Sequence, residues 1–439
     1  MSVSKLSSWG HYPYAPQTGR EPGWRENAQT ALRDAAKRFG TTLPFGNGRS
    51  YGDSCLAATD HVLMLRGLDR FIAADWKTGV IRAEAGVTLG DLLELAVPRG
   101  WMLPVTPGTQ FVTLGGAVAN DVHGKNHHVR GTFGRHVRRF SLLRSDCEPL
   151  ECAPEENAEF YRATIGGLGL TGIVEWVELQ LMPVESSRLA THTRPFGNLD
   201  EFLALSNEYD AKHEYGVAWI DCLGRGASLG RGIYVSADHA TDHCFDMPRR
   251  PVRRVPFAPP WSPVNRYTLK LFNEFYYRRA ASKAGAAVVN CASYFYPLDS
   301  IGEWNRLYGR RGFQQYQFVV PDNTARDALH AFLDAIASTH AGSFLAVLKR
   351  CGPLVSPGLL SFPMQGISLA LDFPQHDTRN ATLFARLDAI VREAHGRQYP
   401  AKDAHMTGAD FRAAYPAWQA LEQLRDPALM SRFWQRTTR

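Results

Sequence analysis

The run Gly167-Leu-Gly-Leu-Thr-Gly172 has the spacing of a dinucleotide-binding fingerprint, yet Ile173-Val-Glu-Trp-Val-Glu-Leu-Gln-Leu181 follows it. That fingerprint works between a strand and a helix, because the helix N-terminus supplies the N–H groups and the dipole that meet a pyrophosphate. Here apolar residues recur at every second position, which predicts a strand where the helix should begin. NAD-type Rossmann binding is not supported. A glycine-rich edge against some other dinucleotide stays open as the alternative.

Two further glycine-rich segments carry chemistry. In Pro44-Phe45-Gly46-Asn47-Gly48-Arg49-Ser50-Tyr51-Gly52-Asp53-Ser54 the glycines let backbone N–H groups turn towards an anion, and Arg49 and Ser50 add donors. No Gly-Lys-Ser/Thr closes a P-loop, and Tyr51 stands where a Rossmann third glycine would be. The plainer reading is a tight surface turn. In the second segment, Thr106–His128, Gly108, Gly115, Gly116 and Gly124 bracket small residues, so backbone can approach a flat or charged ligand. His123, Lys125, His127 and His128 supply donors and cations there. His123 and His127 have the spacing of zinc ligands, but Gly124 fills the position a His-Glu-x-x-His helix gives to glutamate. Zinc is rejected. Later, Gln315 and Gln317 share one face of a strand, Lys349 ends an apolar strand, and Lys402 closes Tyr399-Pro-Ala-Lys402. A lysine in such a strand is costly to bury unpaired, so a solvated face is the alternative for it.

With 439 residues the chain has room for two or three domains of roughly 100–200 residues each. Helices are expected over Asn27–Arg38, after a Thr88 cap and over Ala381–His395 and Ala413–Gln435. Strands are expected at Val62–Leu65, Val80–Ala83, Gln315–Pro321, Phe344–Lys349 and Ile367–Phe373. Falling glycine density marks a domain change near residue 185. Met247–Pro263 holds six prolines and four arginines in 17 residues, which predicts a long loop. Seven scattered cysteines fit neither a disulfide framework nor a zinc ribbon. A net charge of +6 suits an anionic ligand or an anionic membrane surface but is too weak to argue for nucleic acid. No apolar run reaches the ~18 residues of a membrane span, and no signal peptide is seen, so a cytoplasmic or peripheral membrane location is expected.

Taken together, Gly46–Asp53, Thr106-Pro-Gly-Thr109 and Asp121-Val-His-Gly-Lys-Asn-His-His128 resemble the flavin domain of the vanillyl-alcohol oxidase/p-cresol methylhydroxylase (PCMH) family. Gly302-Glu-Trp-Asn-Arg306, Gln315-Tyr-Gln-Phe-Val-Val-Pro321, Leu360-Ser-Phe-Pro363, Leu371-Asp-Phe-Pro374 and Tyr399-Pro-Ala-Lys-Asp403 extend the resemblance in order. They narrow it to the oxidase subunits of decaprenylphosphoryl-β-D-ribose 2′-epimerases.

The resemblance implies an α+β fold. A two-subdomain FAD-binding domain would occupy 1–185, a substrate domain on an antiparallel sheet 186–396, and a segment returning to the FAD-binding domain 397–439. Pro44–Ser54 would take the pyrophosphate. Gly108, Thr113, Leu114, Gly115, Gly116, Asn120, Asp121, Val122 and His123 would hold the flavin, and Ile173, Tyr399 and Lys402 would complete its surroundings. His123, Lys125, Trp219, Gln315, Gln317, Lys349 and Lys402 map around the substrate. The implied reaction oxidises the 2′-hydroxyl of a polyprenylphosphoryl ribose to the 2′-keto form, and an NAD(P)-dependent reductase completes an epimerisation that serves cell-wall precursor synthesis. Lys402, His123 and Tyr51 are the catalytic candidates, with the proton acceptor open between Lys402, Tyr51 and water. Covalent flavin in this family needs a histidine where Arg49 stands, so FAD is expected to be non-covalent. Two further departures are Ala370, where many members have cysteine, and Phe295, where tyrosine is common. The rival readings are an aldonolactone or alditol oxidase of the same fold acting on a free polyol, and a redox-inactive protein that binds nucleotide or lipid.

Overall fold

The computed structural model describes residues 5–247, 252–339 and 342–439. Pro248, Arg249, Arg250 and Pro251 of the proline- and arginine-rich loop lie outside the described residues.

The N-terminal part is built on two main sheets, beside a two-residue ladder between Trp101–Met102 and Met182–Pro183. β1 (Lys5–Leu6), β2 (Gln17–Arg20), β3 (Pro44–Phe45) and β4 (His61–Met64) form the first, in the order β1-β2-β4-β3. The helix Ala28–Phe39 packs Leu32 and Ala35 against it. β5 (Phe71–Asp75), β6 (Val80–Glu84), β7 (Val137–Leu143), β8 (Leu150–Cys152) and β9 (Ile173–Gln180) form the second, in the order β5-β6-β9-β7-β8. The helix Leu89–Ala96 begins where the sequence says it should. Thr88 accepts from the Asp91 N–H while Asp91 accepts from the Thr88 N–H, and the reciprocal pair satisfies two otherwise orphaned donors. Leu89, Leu92 and Leu93 then point into the core over β6 and β9, each contributing on the order of 1.5–3 kcal/mol.

A larger antiparallel sheet follows. Its strands are β10 (Arg188–Phe196), β11 (Tyr215–Ile220), β12 (Gly232–His239), β13 (Gly285–Asn290), β14 (Phe313–Val320), β15 (Ala346–Cys351), β16 (Gly366–Pro374) and β17 (Arg397–Gln398). They run in the order β13-β10-β12-β11-β15-β16-β14-β17. Alternation gives the sheet two different faces. Tyr316, Phe318, Leu348, Leu369 and Leu371 pack on helices Leu199–Tyr209, Asp322–Thr339 and Asp377–Glu393. Trp219, Gln315, Gln317, Lys349 and Ala370 project the other way.

β17 carries the sheet two residues past position 396, and the chain then crosses to the N-terminal part. The Tyr51 N–H donates to the Ala401 carbonyl (3.0 Å) and the Asp53 N–H to that of Asp403 (3.3 Å). The single helix expected over Ala413–Gln435 is three short ones, Gly408–Ala414, Trp418–Leu424 and Arg432–Thr438. Pro416 and Pro427 stand in the gaps, where a missing N–H and a blocked α conformation at the preceding residue end each helix. The proline- and arginine-rich loop also differs from expectation. Arg253–Arg254 pair in parallel with Ile301–Gly302, and Arg306 donates to the Val255 carbonyl at 2.9 Å. Its prolines at 256, 259, 260 and 263 all lie beyond this two-residue edge ladder, so they do not interrupt it.

Candidate active site

A cavity of about 790 Å³ lies between the glycine loops of the N-terminal part and the polar face of the large sheet. Its loop wall is backbone-rich because side chains would not fit. A Cβ on Gly46 would meet Thr113 Oγ1 at 2.5 Å, and Gly48 takes a left-handed φ of +59°. Gly108 differs: a Cβ there would meet nothing within 4 Å and would enter the cavity itself. Leu168, Gly169 and Gly172 of the false fingerprint also border the space. Three polar atoms here are buried without a partner, namely Arg49 Nε, Ser54 Oγ and His123 Nδ1. Buried donors and acceptors left unpaired are uncommon in proteins, so these atoms mark where a polar ligand belongs. Arg49 is held in place by Trp9, whose ring centroid lies 4.2 Å from the guanidinium carbon. A long, flat, phosphate-bearing group such as FAD fits this wall.

The sheet wall is set by register. Gln315 lies opposite Asp372, Gln317 opposite Ala370, and Lys349 opposite Ser368, so these side chains share one face. Gln315 Nε2 donates to Asp372 Oδ1 at 2.6 Å, and Tyr308 donates to the same carboxylate at 3.4 Å. Gln317 Nε2 donates to His123 Nε2 at 3.0 Å, which leaves the ring proton on the unpartnered Nδ1. Burial, reinforced by Lys349, His127 and Lys402, keeps that imidazole well below its usual range and therefore neutral. The Tyr399 hydroxyl donates to the Asn120 carbonyl at 2.8 Å. Trp219 Nε1 donates to the Phe344 carbonyl at 3.0 Å.

Three lysines enter the same space. Lys125 donates to the Tyr294 carbonyl, Lys349 reaches the Gly124 carbonyl at 3.4 Å, and Lys402 Nζ stands 3.6 Å from the centre of the Tyr51 ring. Burial lowers Lys125 and Lys402 to about 7 and Lys349 to about 8; Lys349 adds to the depression of the other two, and Asp372 partly offsets that of Lys402. Burial raises Asp372 to about 7 against the hydrogen bond from Gln315. Burial and the Asp372 charge hold the Tyr51 phenol well above its usual range, so it stays a donor.

These lysines make stability depend on pH. Between their folded values and the unfolded value of about 10.4 the folded state binds fewer protons than the unfolded one, so stability climbs with pH. The thermal midpoint of flavin-free protein should rise from about pH 7 to about pH 8, and less so in Lys125→Met; above that the buried thiols of Cys55, Cys152, Cys222, Cys291 and Cys351, which burial pushes up to about 11 or 12, turn the slope the other way. A midpoint that falls across that window would contradict the assignment.

Most of the expected positions meet at the cavity. Pro44, Gly46 to Tyr51, Ser54, Gly108, Thr113, Gly115, Gly116, Asn120, Val122, His123, Lys125, Trp219, Gln315, Gln317, Lys349, Tyr399 and Lys402 line it, as do Ala370 and Phe295. Six do not. Phe45 points into the core beneath the loop, Leu114 into the core of the five-stranded sheet, and Ile173 against the helix Ala28–Phe39. Gly52 abuts the Asp403 carbonyl, 1.6 Å from where a Cβ would sit. Asp53 is paired with Arg436 at 2.9 Å, and Asp121 accepts from the Gly134 N–H and from Ser356 and Ser361. Asp372 is the residue that the sequence reading passed over, although alternation in β16 places it on the face of Ser368 and Ala370.

Residues 20–153 match the family model described as an FAD binding domain. The fold and the cavity define an FAD-dependent oxidoreductase that acts on a CH–OH donor. The decaprenylphosphoryl-β-D-ribose oxidase of Mycolicibacterium smegmatis is 35% identical over 97% of this chain and 95% of its own. An uncharacterized Streptomyces coelicolor protein is 34% identical over 77% of this chain and 95% of its own. The L-gulonolactone oxidase of Scyliorhinus torazame is 30% identical, but over only 45% of this chain and 46% of its own. The chain belongs to the decaprenylphosphoryl-β-D-ribose oxidase family.

Proposed function

We propose that this protein oxidises the 2′-hydroxyl of a polyprenylphosphoryl-β-D-ribose-like sugar lipid to the 2′-keto form. The observation that carries the reading is the extent of the relationship. Similarity to a decaprenylphosphoryl-β-D-ribose oxidase spans 97% of the chain, including the sheet that walls the cavity. The L-gulonolactone oxidases match less than half of it.

Hydride-accepting chemistry at C2′ is what a bound FAD would supply. The loop Pro44–Ser54 would hold its pyrophosphate, with Arg49 and Ser54 offering their unpartnered atoms. Gly108, Thr113, Gly115, Gly116, Asn120, Val122, His123 and Tyr399 would hold the ring. Gln315 and Gln317 present amides to the sugar hydroxyls beside Trp219. Lys125 and Lys349 have no carboxylate partner among the described residues and suit the phosphate. The hydroxyl proton passes to neutral Lys402 Nζ, and the ammonium so formed faces the negative charge that hydride transfer leaves behind. Tyr51 is held protonated and positions the hydroxyl. Ala370 and Phe295 shape the sugar wall with one thiol and one hydroxyl fewer than many relatives have.

The 2′-keto product then requires a hydride donor, which makes an NAD(P)-dependent reductase the expected partner. The lipid tail places the reaction at a membrane surface. Among the described residues no helix is long and apolar enough to cross a membrane.

Anaerobic mixing with a panel of alcohols tests the reading. Polyprenylphosphoryl ribose should bleach the flavin while free alditols and aldonolactones should not; the reverse order would sink it. Acid denaturation of the yellow protein should release all colour into the supernatant, because Arg49 cannot form the histidyl linkage. Flavin retained in the pellet would refute non-covalent binding.

A further inference from the structure

The helix Arg266–Ala281 is amphipathic in the reverse sense to an ordinary surface helix. Its inward side buries only Leu269 and Asn273. It is latched to the large sheet by polar contacts: Asn273 donates to Asp221 at 2.7 Å, and Arg231 bridges Asp221 at 3.0 Å and Glu274 at 2.6 Å. Its outward side carries Tyr267, Leu271 and Phe275 at i, i+4 and i+8, which are 72%, 75% and 63% exposed. Trp261, 83% exposed and ahead of the helix, borders a hollow shared with Tyr267. A run of large apolar side chains facing water is unfavourable unless something covers it.

Charge says what covers it. Arg266, Lys270, Arg278 and Arg279 flank the ridge and Lys283 follows it, whereas the one acid of the helix, Glu274, is held by Arg231 and Arg278. Lys270, Arg279 and Lys283 have no carboxylate partner among the described residues. An apolar stripe bordered by cations is the pattern of a helix that lies in the headgroup layer of an anionic bilayer. Position agrees. Tyr276, on the inward edge of the same helix, lines the cavity and packs on Trp219 with ring centroids 4.6 Å apart. The helix thus joins the outer ridge to the catalytic space within one turn.

We infer that the outward ridge Trp261–Tyr267–Leu271–Phe275 and its flanking cations dock this protein on an anionic membrane, with the cavity held next to the headgroups. The inference rests on the reading of the substrate as a lipid-linked sugar, and it names the surface that meets the lipid.

The FAD-loaded full chain is co-sedimented with vesicles of phosphatidylcholine containing phosphatidylglycerol, and with phosphatidylcholine alone. The wild type should bind the anionic vesicles, more weakly as salt rises. Leu271→Asp/Phe275→Asp should bind them at least about tenfold less while keeping its flavin content. Lys270→Ser/Arg279→Ser should lose the preference for phosphatidylglycerol. Unchanged binding by the first pair would overturn the proposal. So would a wild type that binds neither vesicle, or one that sediments as a dimer which the first pair makes monomeric, because the ridge would then cover a second copy. Both variants should reduce flavin normally with a water-soluble, short-chain substrate. If vesicle binding behaves as stated but no polyprenylphosphoryl ribose reduces the flavin, the substrate reading fails and the docking surface stands.

Discussion

Lys402→Met should keep FAD yet reduce it on the order of 10²–10³-fold more slowly, the usual loss when one preorganised charge is taken from a developing anion. In the proposed mechanism Lys402 has two tasks in sequence. Burial leaves it largely able to take a proton near neutrality, and once protonated it is a buried cation whose nearby carboxylate is Asp372. The wild-type rate of flavin reduction should therefore rise with pH through an apparent value near 7 that belongs to the coupled Lys402–Asp372 pair. That limb should vanish in Lys402→Met. In Asp372→Asn, which removes the charge that favours the ammonium, it should move to lower pH. Stopped-flow reduction under nitrogen reads all three. A methionine variant that reduces its flavin at the wild-type rate would take Lys402 out of the mechanism.

The second large effect is on stability. Arg436, on the last helix, donates to both oxygens of Asp53 in the first glycine loop (3.0 and 2.9 Å) and to Asp403 beside Lys402 (2.8 Å). Both carboxylates are almost wholly buried, so Arg436→Ala takes the ion-pair partner from Asp53 and leaves Asp403 with His405 alone. Removing one partner of such a cluster costs roughly 3–5 kcal/mol. The thermal midpoint should fall sharply and FAD should dissociate more easily, because the loop and the lysine are held by the same guanidinium. Arg436→Lys should recover only part of the loss, since an ammonium cannot present a planar fork to two carboxylates. A midpoint unchanged in the alanine variant would show that the cluster is not the clamp described.

Local signals were legible where one residue decides. Thr88 with Asp91 announces a helix start, alternation in Ile173–Leu181 unmasks a false fingerprint, and alternation in β14 pairs Gln315 with Gln317. Pro44 and Gly46 line the cavity while Phe45 between them faces the core, a distinction that strand alternation alone could have drawn. What stayed hidden depends on distant partners. Nothing local says that Asp53 belongs to Arg436, 383 positions away, or that Gly52 must clear a carbonyl of residue 403. Asp372 was missed for a related reason: its importance lies in the register that sets it against Gln315 and in the lysine that arrives from another part of the chain. The broken C-terminal helix is the reverse case: the apolar period runs on past Pro416 and Pro427, but each proline ends a helix whatever the period.

The crossing at residues 399–403 sets an order of events during synthesis. Chains fold domain by domain as they emerge, N-terminal parts first. The glycine loops and most of the large sheet are made long before Lys402, and the clamp residue Arg436 comes later still. Until those residues arrive the flavin loop lacks the partners of Tyr51 and Asp53, and the cavity lacks one of its three lysines. A nascent or truncated chain of this protein can therefore hold much of the architecture without the lysine to which we assign the proton.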